Sequence, residues 1–205
     1  MVKENKDTEG KILEAARKVF TRKGMGGARM QEIADEAGIN KAMLHYYFRS
    51  KERLYEAIFQ EVLRNFFPSL IGILNKTSEF KDKVADIVEL YTEEFKDNTY
   101  IPIFLINEIH QNPARLDAIG SKVGLIHDTA FFKEYMEKVQ SGEFLPLSPM
   151  HLMVNILALT IFPILANPIL FKIFETNPDG KKQFWEERKI LVPQLIMETI
   201  INKQK

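Results

Sequence analysis

The segment from Arg29 to Arg53, RMQEIADEAGINKAMLHYYFRSKER, constrains the fold more than any other part of the chain. Ile33, Ala34 and Ala37 recur at helical spacing, which predicts a short helix with one apolar face. Gly38 follows at a position where a chain that leaves a helix often adopts a left-handed conformation. The pattern therefore predicts a short helix that ends in a tight turn.

A second short helix is predicted directly after this turn. Asn40 can cap it by accepting a hydrogen bond from a free backbone N–H group. Leu44 and Phe48 are four residues apart and should point inward, with Ile39 holding the turn against the core. Ala34 is small enough for the two helices to cross closely. Two helices joined in this way form a helix-turn-helix, whose second helix lies in the DNA major groove.

The outward face of the second helix carries side chains that suit duplex DNA, namely Lys41, Ala42, Met43, His45 and Tyr46. Lys41 can bind a phosphate or a guanine edge, and Ala42 and Met43 allow a groove to approach closely. His45 and Tyr46 can donate hydrogen bonds to phosphates. A purely structural helical hairpin would have little use for these exposed residues, so DNA contact is the favoured interpretation.

Three flanking residues bear on the same surface. Tyr47 fits a core position and a phosphate contact equally well. Ser50 is predicted to cap a third helix of this segment, and its free amide groups would form an anion site. Lys51, in the first turn of that helix, adds a full positive charge to the site.

The stretch IADEAGINKAMLHYYFRSKERLYEAIF resembles the DNA-binding signature of TetR-family transcriptional regulators. The matching positions are Ile33, Ala34, Ala37, Gly38, Ile39, Leu44, Tyr47, Phe48, Ser50, Lys51 and Leu54. The rest of the chain is similar to the family only in length and helical pattern. The resemblance implies an all-α fold, with a three-helix helix-turn-helix DNA-binding domain at residues 1–53 and a larger effector-binding and dimerisation domain at 54–205.

Three positions depart from the family pattern. Asn40 stands where Ser or Thr is usual, and it can cap equally well. His45 replaces a usual Tyr, and Tyr46 follows it. Arg29 replaces a hydroxyl residue before the first helix of the motif, where it can reach a phosphate but caps poorly. The predicted DNA-binding residues are Arg29, Lys41, Ala42, Met43, His45, Tyr46, Tyr47 and Lys51.

Composition narrows the class of protein. The 205 residues are 45% hydrophobic and 27% charged, as in a soluble globular protein, and the formal net charge is zero. Residues 1–60 hold 12 Lys or Arg against 9 Asp or Glu, which is only a mild positive excess. This favours specific DNA binding by a folded module over binding by charge alone. Without Cys there is no disulfide, and the charged N-terminus does not resemble a signal peptide, so a cytoplasmic location is expected.

Helices are predicted throughout the rest of the chain, without useful strand alternation. Their ranges are 8–23, 51–74, 80–98, 101–111, 115–121, 122–141 and 181–203. Residues 144–171 carry no formal charge, which makes them a candidate membrane span. Pro163, Pro168, Asn155 and Asn167 argue against a span, so a helix covered by other protein is favoured over a membrane contact.

The last helix of the chain carries apolar residues on nearly every face, which is more than one monomer core needs. We therefore expect a homodimer in which the helices at 150–170 and 181–203 build a four-helix interface. The family resemblance implies the same arrangement. Two-fold symmetry would let such a dimer read both half-sites of a palindromic operator in double-stranded DNA.

Aromatic and polar residues are mixed between residues 80 and 171. The candidate effector-binding residues are Tyr91, Phe95, Phe104, Asn107, Glu108, His127, Phe131, Asn155 and Phe162. A mostly apolar cavity with a few polar groups is typical of a small-molecule site, although an ordinary aromatic core would have the same composition. The family resemblance favours a pocket for an apolar or aromatic effector.

Catalysis and metal binding are not expected. His110, His127, His151 and Glu108 could meet in space, but no pair has the spacing of a helical metal site. Nucleophile motifs and Gly-rich phosphate loops are missing from the sequence, so neither an enzyme nor a cofactor is predicted. The predicted function is a DNA-binding repressor released by a small ligand. The alternative is a DNA-bound structural or division-control protein that uses a protein partner instead.

Overall fold

The computed structural model describes residues 2–111 and 128–203. Within these ranges, regular structure is helical apart from one isolated bridge between Phe144 and Ile201. This confirms the predicted all-α fold. The described helices are α1 (Val2–Gly27), α2 (Met30–Glu36), α3 (Lys41–Tyr47), α4 (Lys51–Leu74), α5 (Phe80–Phe95), α6 (Tyr100–Gln111), α7 (Ala130–Gln140), α8 (Pro149–Ile173) and α9 (Pro178–Ile200).

Two compact units divide the chain, Met1–Asn65 and Phe66–Lys205. The division falls inside α4, later than the boundary predicted after residue 53. The helix predicted at 122–141 begins at Ala130 in the described residues, because 128 and 129 are not helical. The predicted short helix at 115–121 lies outside the described residues.

The first unit packs α1 to α4 around a small apolar core. Its fully buried side chains come from all four helices and include Ile12, Ala16, Val19, Ile33, Ala34, Leu44 and Leu54. Arg22 pairs with Glu36 at 2.8 Å and Lys23 pairs with Glu32 at 2.7 Å, joining α1 to α2 at the surface. Exposed ion pairs contribute little to stability, so the buried apolar side chains hold this unit together.

Glycines with positive φ mark two of the breaks in the first unit. Gly24 interrupts α1 with φ at 66° and ψ at 172°, one residue after the predicted end of that helix. Gly38 has φ at +67° in the turn between α2 and α3, as the sequence predicts. A side chain at either position would be strained, because the left-handed region is unfavourable for residues other than glycine.

Gly38→Ala is expected to lower the free energy of unfolding by about 1–2 kcal/mol, because alanine resists the left-handed conformation of the turn. Gly72→Ala is the matched control, since Gly72 lies inside α4 and a Cβ there meets nothing within 4 Å. The control should gain about 0.5–1 kcal/mol from helix propensity. Urea unfolding measures both changes in the free energy of unfolding. A change of the same sign in the two variants would contradict the turn geometry.

In the second unit α5 contacts α6, α7, α8 and α9. Its buried face consists of Phe80, Lys83, Val84, Ile87, Val88, Thr92 and Phe95. Lys83 is only 4% exposed, and its ammonium lies 2.7 Å from the Glu134 carboxylate of α7. This pairing gives the buried charge a partner, and burial without one would be strongly unfavourable.

A proline inside α8 is compensated by a side chain of α9. Pro163 has no N–H group, so the carbonyl oxygen of Leu159, one turn earlier, loses its helical donor. The half-buried guanidinium of Arg188 donates a hydrogen bond to this oxygen. Burial lowers the pKa of Arg188, which nevertheless stays charged because guanidinium groups do not deprotonate in proteins. The hydrogen bond ties α8 to α9.

Arg188→Leu is expected to destabilise the protein by about 1–3 kcal/mol, because the Leu159 carbonyl is left without a donor. The same change should cost less in a Pro163→Ala background, where residue 163 supplies an N–H group. Urea unfolding of the wild type, both single variants and the double variant completes the cycle. An identical loss in both backgrounds would show that Arg188 does not act through this carbonyl.

Candidate nucleic-acid interface

Backbone hydrogen bonds close the turn between α2 and α3. The N–H of Ile39 donates to the Ala34 carbonyl at 3.0 Å, and the N–H of Gly38 donates to the Asp35 carbonyl at 3.1 Å. The side chain of Asn40 accepts from the N–H of Met43 at 2.7 Å, which confirms its predicted role as the cap of α3. The order and contact of α2 and α3 are those of a helix-turn-helix.

The two faces of α3 differ sharply in exposure. Leu44 is fully buried and Phe48, just after the helix, is 8% exposed, as predicted for inward positions. Lys41, Ala42, Met43, His45 and Tyr46 are all exposed, with Met43 at 43% and Tyr46 at 78%. One whole face of this seven-residue helix therefore points away from the core of the first unit. That face, defined by these five residues, is called the α3 outer face below.

Local contacts orient three residues near the end of α3. Tyr46 and Tyr47 meet edge to face, with ring centroids 5.4 Å apart. Tyr47 is half-buried, so its exposure is intermediate between that of a core residue and that of an exposed phosphate contact, the two alternatives that the sequence left open. The Nδ1 atom of His45 lies 3.3 Å from the carbonyl oxygen of Arg49, so a proton on Nδ1 donates to that oxygen and Nε2 stays available.

The flanking cations have different surroundings. Arg29 is exposed at the N-cap of α2 and makes no capping hydrogen bond with its side chain, as predicted. The ammonium of Lys51 is half-buried and donates to the carbonyl oxygen of Ala28 at 3.3 Å. It therefore ties the start of α4 to the segment before α2. An ammonium has three donors, so this bond still leaves capacity for a phosphate.

The start of α4 is already capped by protein groups. The N–H of Arg53 donates to the Ser50 hydroxyl at 3.3 Å, which confirms the predicted cap. The Glu52 carboxylate accepts from its own backbone N–H and from Ser50, and these bonds lower its pKa. The amide groups expected to form a free anion site are thus partly used within the protein.

The structure distributes the predicted effector residues over different surroundings. Tyr91 and Phe95 form one aromatic cluster with Phe66, with centroid distances from 4.9 to 5.7 Å. Burial raises the pKa of the Tyr91 phenol well above its ordinary value. Phe131 is fully buried in a second cluster, stacked on Phe80 at 4.6 Å.

The remaining predicted effector residues do not join these clusters within the described part of the chain. Asn107 is exposed, Asn155 is half-buried and Phe162 is 63% exposed. The side chains of Phe104 and Glu108, and all of His127, lie outside the described residues. Two described surface cavities, of about 380 and 370 Å³, are lined by other residues near the start of α9.

Sequence reasoning missed those cavities because their linings come from distant positions. One is lined by Lys96 and Asp97 after α5, Phe171 of α8, and Lys181 and Trp185 of α9, among others. The signal present in the sequence is the lone tryptophan close to two consecutive lysines. Only folding places them beside the end of α5.

Large apolar side chains remain exposed along α8 and α9. They are Met150, Val154, Phe162, Ile169, Ile173, Ile190 and Leu191, and together they are called the α8–α9 apolar face below. By length and composition, α8 is the one helix in the described residues that could cross a membrane. Only 17% of its most apolar window is buried within the chain, so a single copy does not supply the protein cover that was predicted.

Acidic and histidine residues do not assemble into a metal site in the part of the chain that the structure describes. His110 is exposed, and its Nδ1 lies 2.8 Å from the Ile106 carbonyl oxygen. His151 is exposed on α8. Of the metal-site candidates weighed from the sequence, His127 and the Glu108 side chain lie outside the described residues.

The all-helical fold and its N-terminal helix-turn-helix define a DNA-binding regulator. Residues 12–58 match the model for bacterial regulatory proteins of the tetR family. The transcriptional regulator RutR of Escherichia coli K12 is 30% identical over 152 residues, which span 73% of this chain and 70% of RutR. The chain belongs to the TetR family of transcriptional regulators.

Further relatives and solved structures agree with this assignment. The transcriptional activator FasR of Mycolicibacterium smegmatis is 34% identical over 85 residues, covering 42% of this chain and 39% of FasR. The hemolysin II transcriptional regulator HlyIIR superposes with a TM-score of 0.66 at 26% identity, covering 97% of this chain and 99% of HlyIIR. These relatives are transcriptional regulators, and the chain is not an enzyme, as predicted.

Proposed function

We propose that this regulator is a homodimeric repressor that binds a palindromic operator and is released by a small apolar or aromatic ligand. DNA binding is supported above all by the α3 outer face, whose five side chains are all exposed while Leu44 behind them is fully buried. A helix presented in this way can enter the major groove with its polar side chains directed at the duplex.

Different residues of the interface would have different roles. Lys41 and Met43 would contact base edges, so their substitution should change sequence preference. Tyr46 would donate to a phosphate. Nε2 of His45 would do so when both ring nitrogens carry a proton, because Nδ1 faces the Arg49 carbonyl. Arg29, Ala42, Tyr47 and Lys51 complete the proposed set, with Arg29 and Lys51 bound to the phosphate backbone.

The α8–α9 apolar face supports the proposed dimer. Exposed apolar surfaces commonly mark interaction sites, and these side chains extend along both of the longest C-terminal helices. A second copy of the chain would cover the face with an identical surface through a two-fold axis. Operator binding by this dimer would require it to lie with DNA in the cytoplasm, where we propose that it acts.

Effector control would act as a population shift. The ligand would favour a dimer whose two α3 helices are wrongly spaced for the operator, with α4 as the connection. It can change DNA affinity only by its differential affinity for the two arrangements. The aromatic clusters around Phe95 and Phe131 are consistent with an apolar ligand among the helices of the second unit.

Selection of bound duplexes from a random pool tests the proposal. We expect a palindromic consensus with half-sites about one or more helical turns apart, and loss of binding when an apolar or aromatic ligand is added. A consensus without two-fold symmetry would contradict the dimer. Operator binding that no ligand library alters would favour control by a protein partner.

A further inference from the structure

We propose that the second unit carries a separate site for an aromatic carboxylate, in the cavity between the end of α5 and the start of α9. The cavity has a volume of about 380 Å³, which suits a small molecule. It shares no lining residue with the predicted DNA-binding or effector-binding sets. The cavity is called the α5–α9 cavity below.

Two aromatic rings supply the apolar wall of this cavity. Trp185 is 8% exposed and meets Phe171 edge to face, with centroids 5.9 Å apart. The ammonium of Lys181 lies 5.5 Å from the centroid of the Phe171 ring. A planar apolar group can stack or pack edge-on against such rings, which gives the site a preference for an aromatic body.

The charges around the cavity leave a positive excess. Lys96 is paired with Glu93 at 2.6 Å, and Glu186 is paired with Lys189 at 2.7 Å, so both are already neutralised. Three charged side chains remain in the lining, Lys181, Lys182 and Asp97. Among the described residues, no ion pair engages any of these three. Their formal charges sum to one positive charge, which favours a monoanionic ligand.

Unused hydrogen-bond donors in the lining point to the same ligand. Neither the indole N–H of Trp185 nor the side-chain amide of Asn167 is bonded to another of the described residues. An indole N–H that faces the cavity can donate to a carboxylate, which can accept several hydrogen bonds at once. Lys182 and these donors would therefore hold the carboxylate, while Trp185 and Phe171 hold the ring.

A bound ligand would contact α8, α9 and the segment directly after α5 at the same time, because the lining comes from all three regions. A ligand that binds only the folded protein stabilises it by RT ln(1 + [L]/Kd), so the stability rises with the logarithm of the ligand concentration. The site would thus couple the abundance of an aromatic acid to the stability of the two helices that carry the α8–α9 apolar face.

The experiment titrates naphthalene-2-carboxylate into the full-length protein and follows the indole N–H resonance by NMR. Trp185 is the only tryptophan, so this signal reports the cavity directly. We expect a saturable shift, and weaker binding by at least tenfold for the neutral carboxamide and for acetate, since each lacks one half of the recognised ligand. Lys182→Gln should weaken carboxylate binding by about tenfold or more.

The matched control is Lys133→Gln, because Lys133 is exposed on α7 and away from the cavity lining. It should bind the carboxylate as the wild type does. Equal affinity for the carboxylate and the carboxamide would overturn the proposal, as would an unchanged affinity in Lys182→Gln or the absence of any saturable shift. None of these results depends on whether the protein binds an operator.

Discussion

Tyr46→Ala should weaken operator binding by roughly 30-fold while leaving the stability of the protein within about 0.5 kcal/mol of wild type. Tyr46 is 78% exposed and its ring packs edge to face on Tyr47, so little folding energy is lost when it is truncated. One hydrogen bond to phosphate contributes about 1 kcal/mol, and a symmetric dimer loses it at both half-sites. Fluorescence anisotropy with the selected operator measures the affinity.

Leu44→Ala is the matched control from the opposite face of the same helix. Leu44 is fully buried, so its truncation should cost about 2–5 kcal/mol of stability and reduce DNA binding through loss of folded protein. Urea unfolding distinguishes the loss of a DNA contact in Tyr46→Ala from the loss of folded protein in Leu44→Ala. Wild-type affinity in Tyr46→Ala would mean that the α3 outer face does not contact DNA in the proposed way.

Phe162→Glu should raise the dimer dissociation constant by about 100-fold or more. Phe162 is 63% exposed in a single chain and lies on the α8–α9 apolar face. A carboxylate buried there would be desolvated without a partner, at several kcal/mol per ion, and two-fold symmetry introduces it twice. Sedimentation equilibrium should find a species near the monomer mass of 23.8 kDa at concentrations where the wild type is dimeric.

Met136→Glu is the control for this change. Met136 is 39% exposed on α7, outside the α8–α9 apolar face, so the variant should remain dimeric. Phe162→Glu also separates two proposals for Phe162, which the sequence analysis predicts to lie in the effector site. If Phe162→Glu remains a dimer but is no longer released from the operator by ligand, Phe162 would belong to the effector site and not to the dimer interface.

The helix-turn-helix was predictable because its determinants are local. Gly38, Asn40, Leu44 and Phe48 lie within eleven residues, and each has one physical role that its side chain or backbone dictates. The structure gives Gly38 a positive φ, Asn40 a capping hydrogen bond, and the two apolar residues burial. Short-range patterns of this kind are set before any long-range contact forms.

The partners of polar groups were less predictable, since they depend on tertiary contacts. The bond from Lys51 to the Ala28 carbonyl spans 23 residues, and the one from Arg188 to Leu159 spans 29. Aromatic composition likewise could not assign Phe95 and Phe131 to separate clusters, because residues of the same type pack with whichever neighbours the fold supplies. The predicted effector set was for this reason broader than any one cluster.

The hydrogen bond between α9 and the proline-interrupted turn of α8 has an evolutionary consequence. A descendant that loses Arg188 but keeps Pro163 has a Leu159 carbonyl without a hydrogen-bond donor. A descendant that loses both residues regains the ordinary helical hydrogen bond at this carbonyl. The two positions should therefore change together across lineages. Among related sequences, proline at position 163 should occur together with a long hydrogen-bond donor at position 188, although the two positions are not neighbours in the sequence.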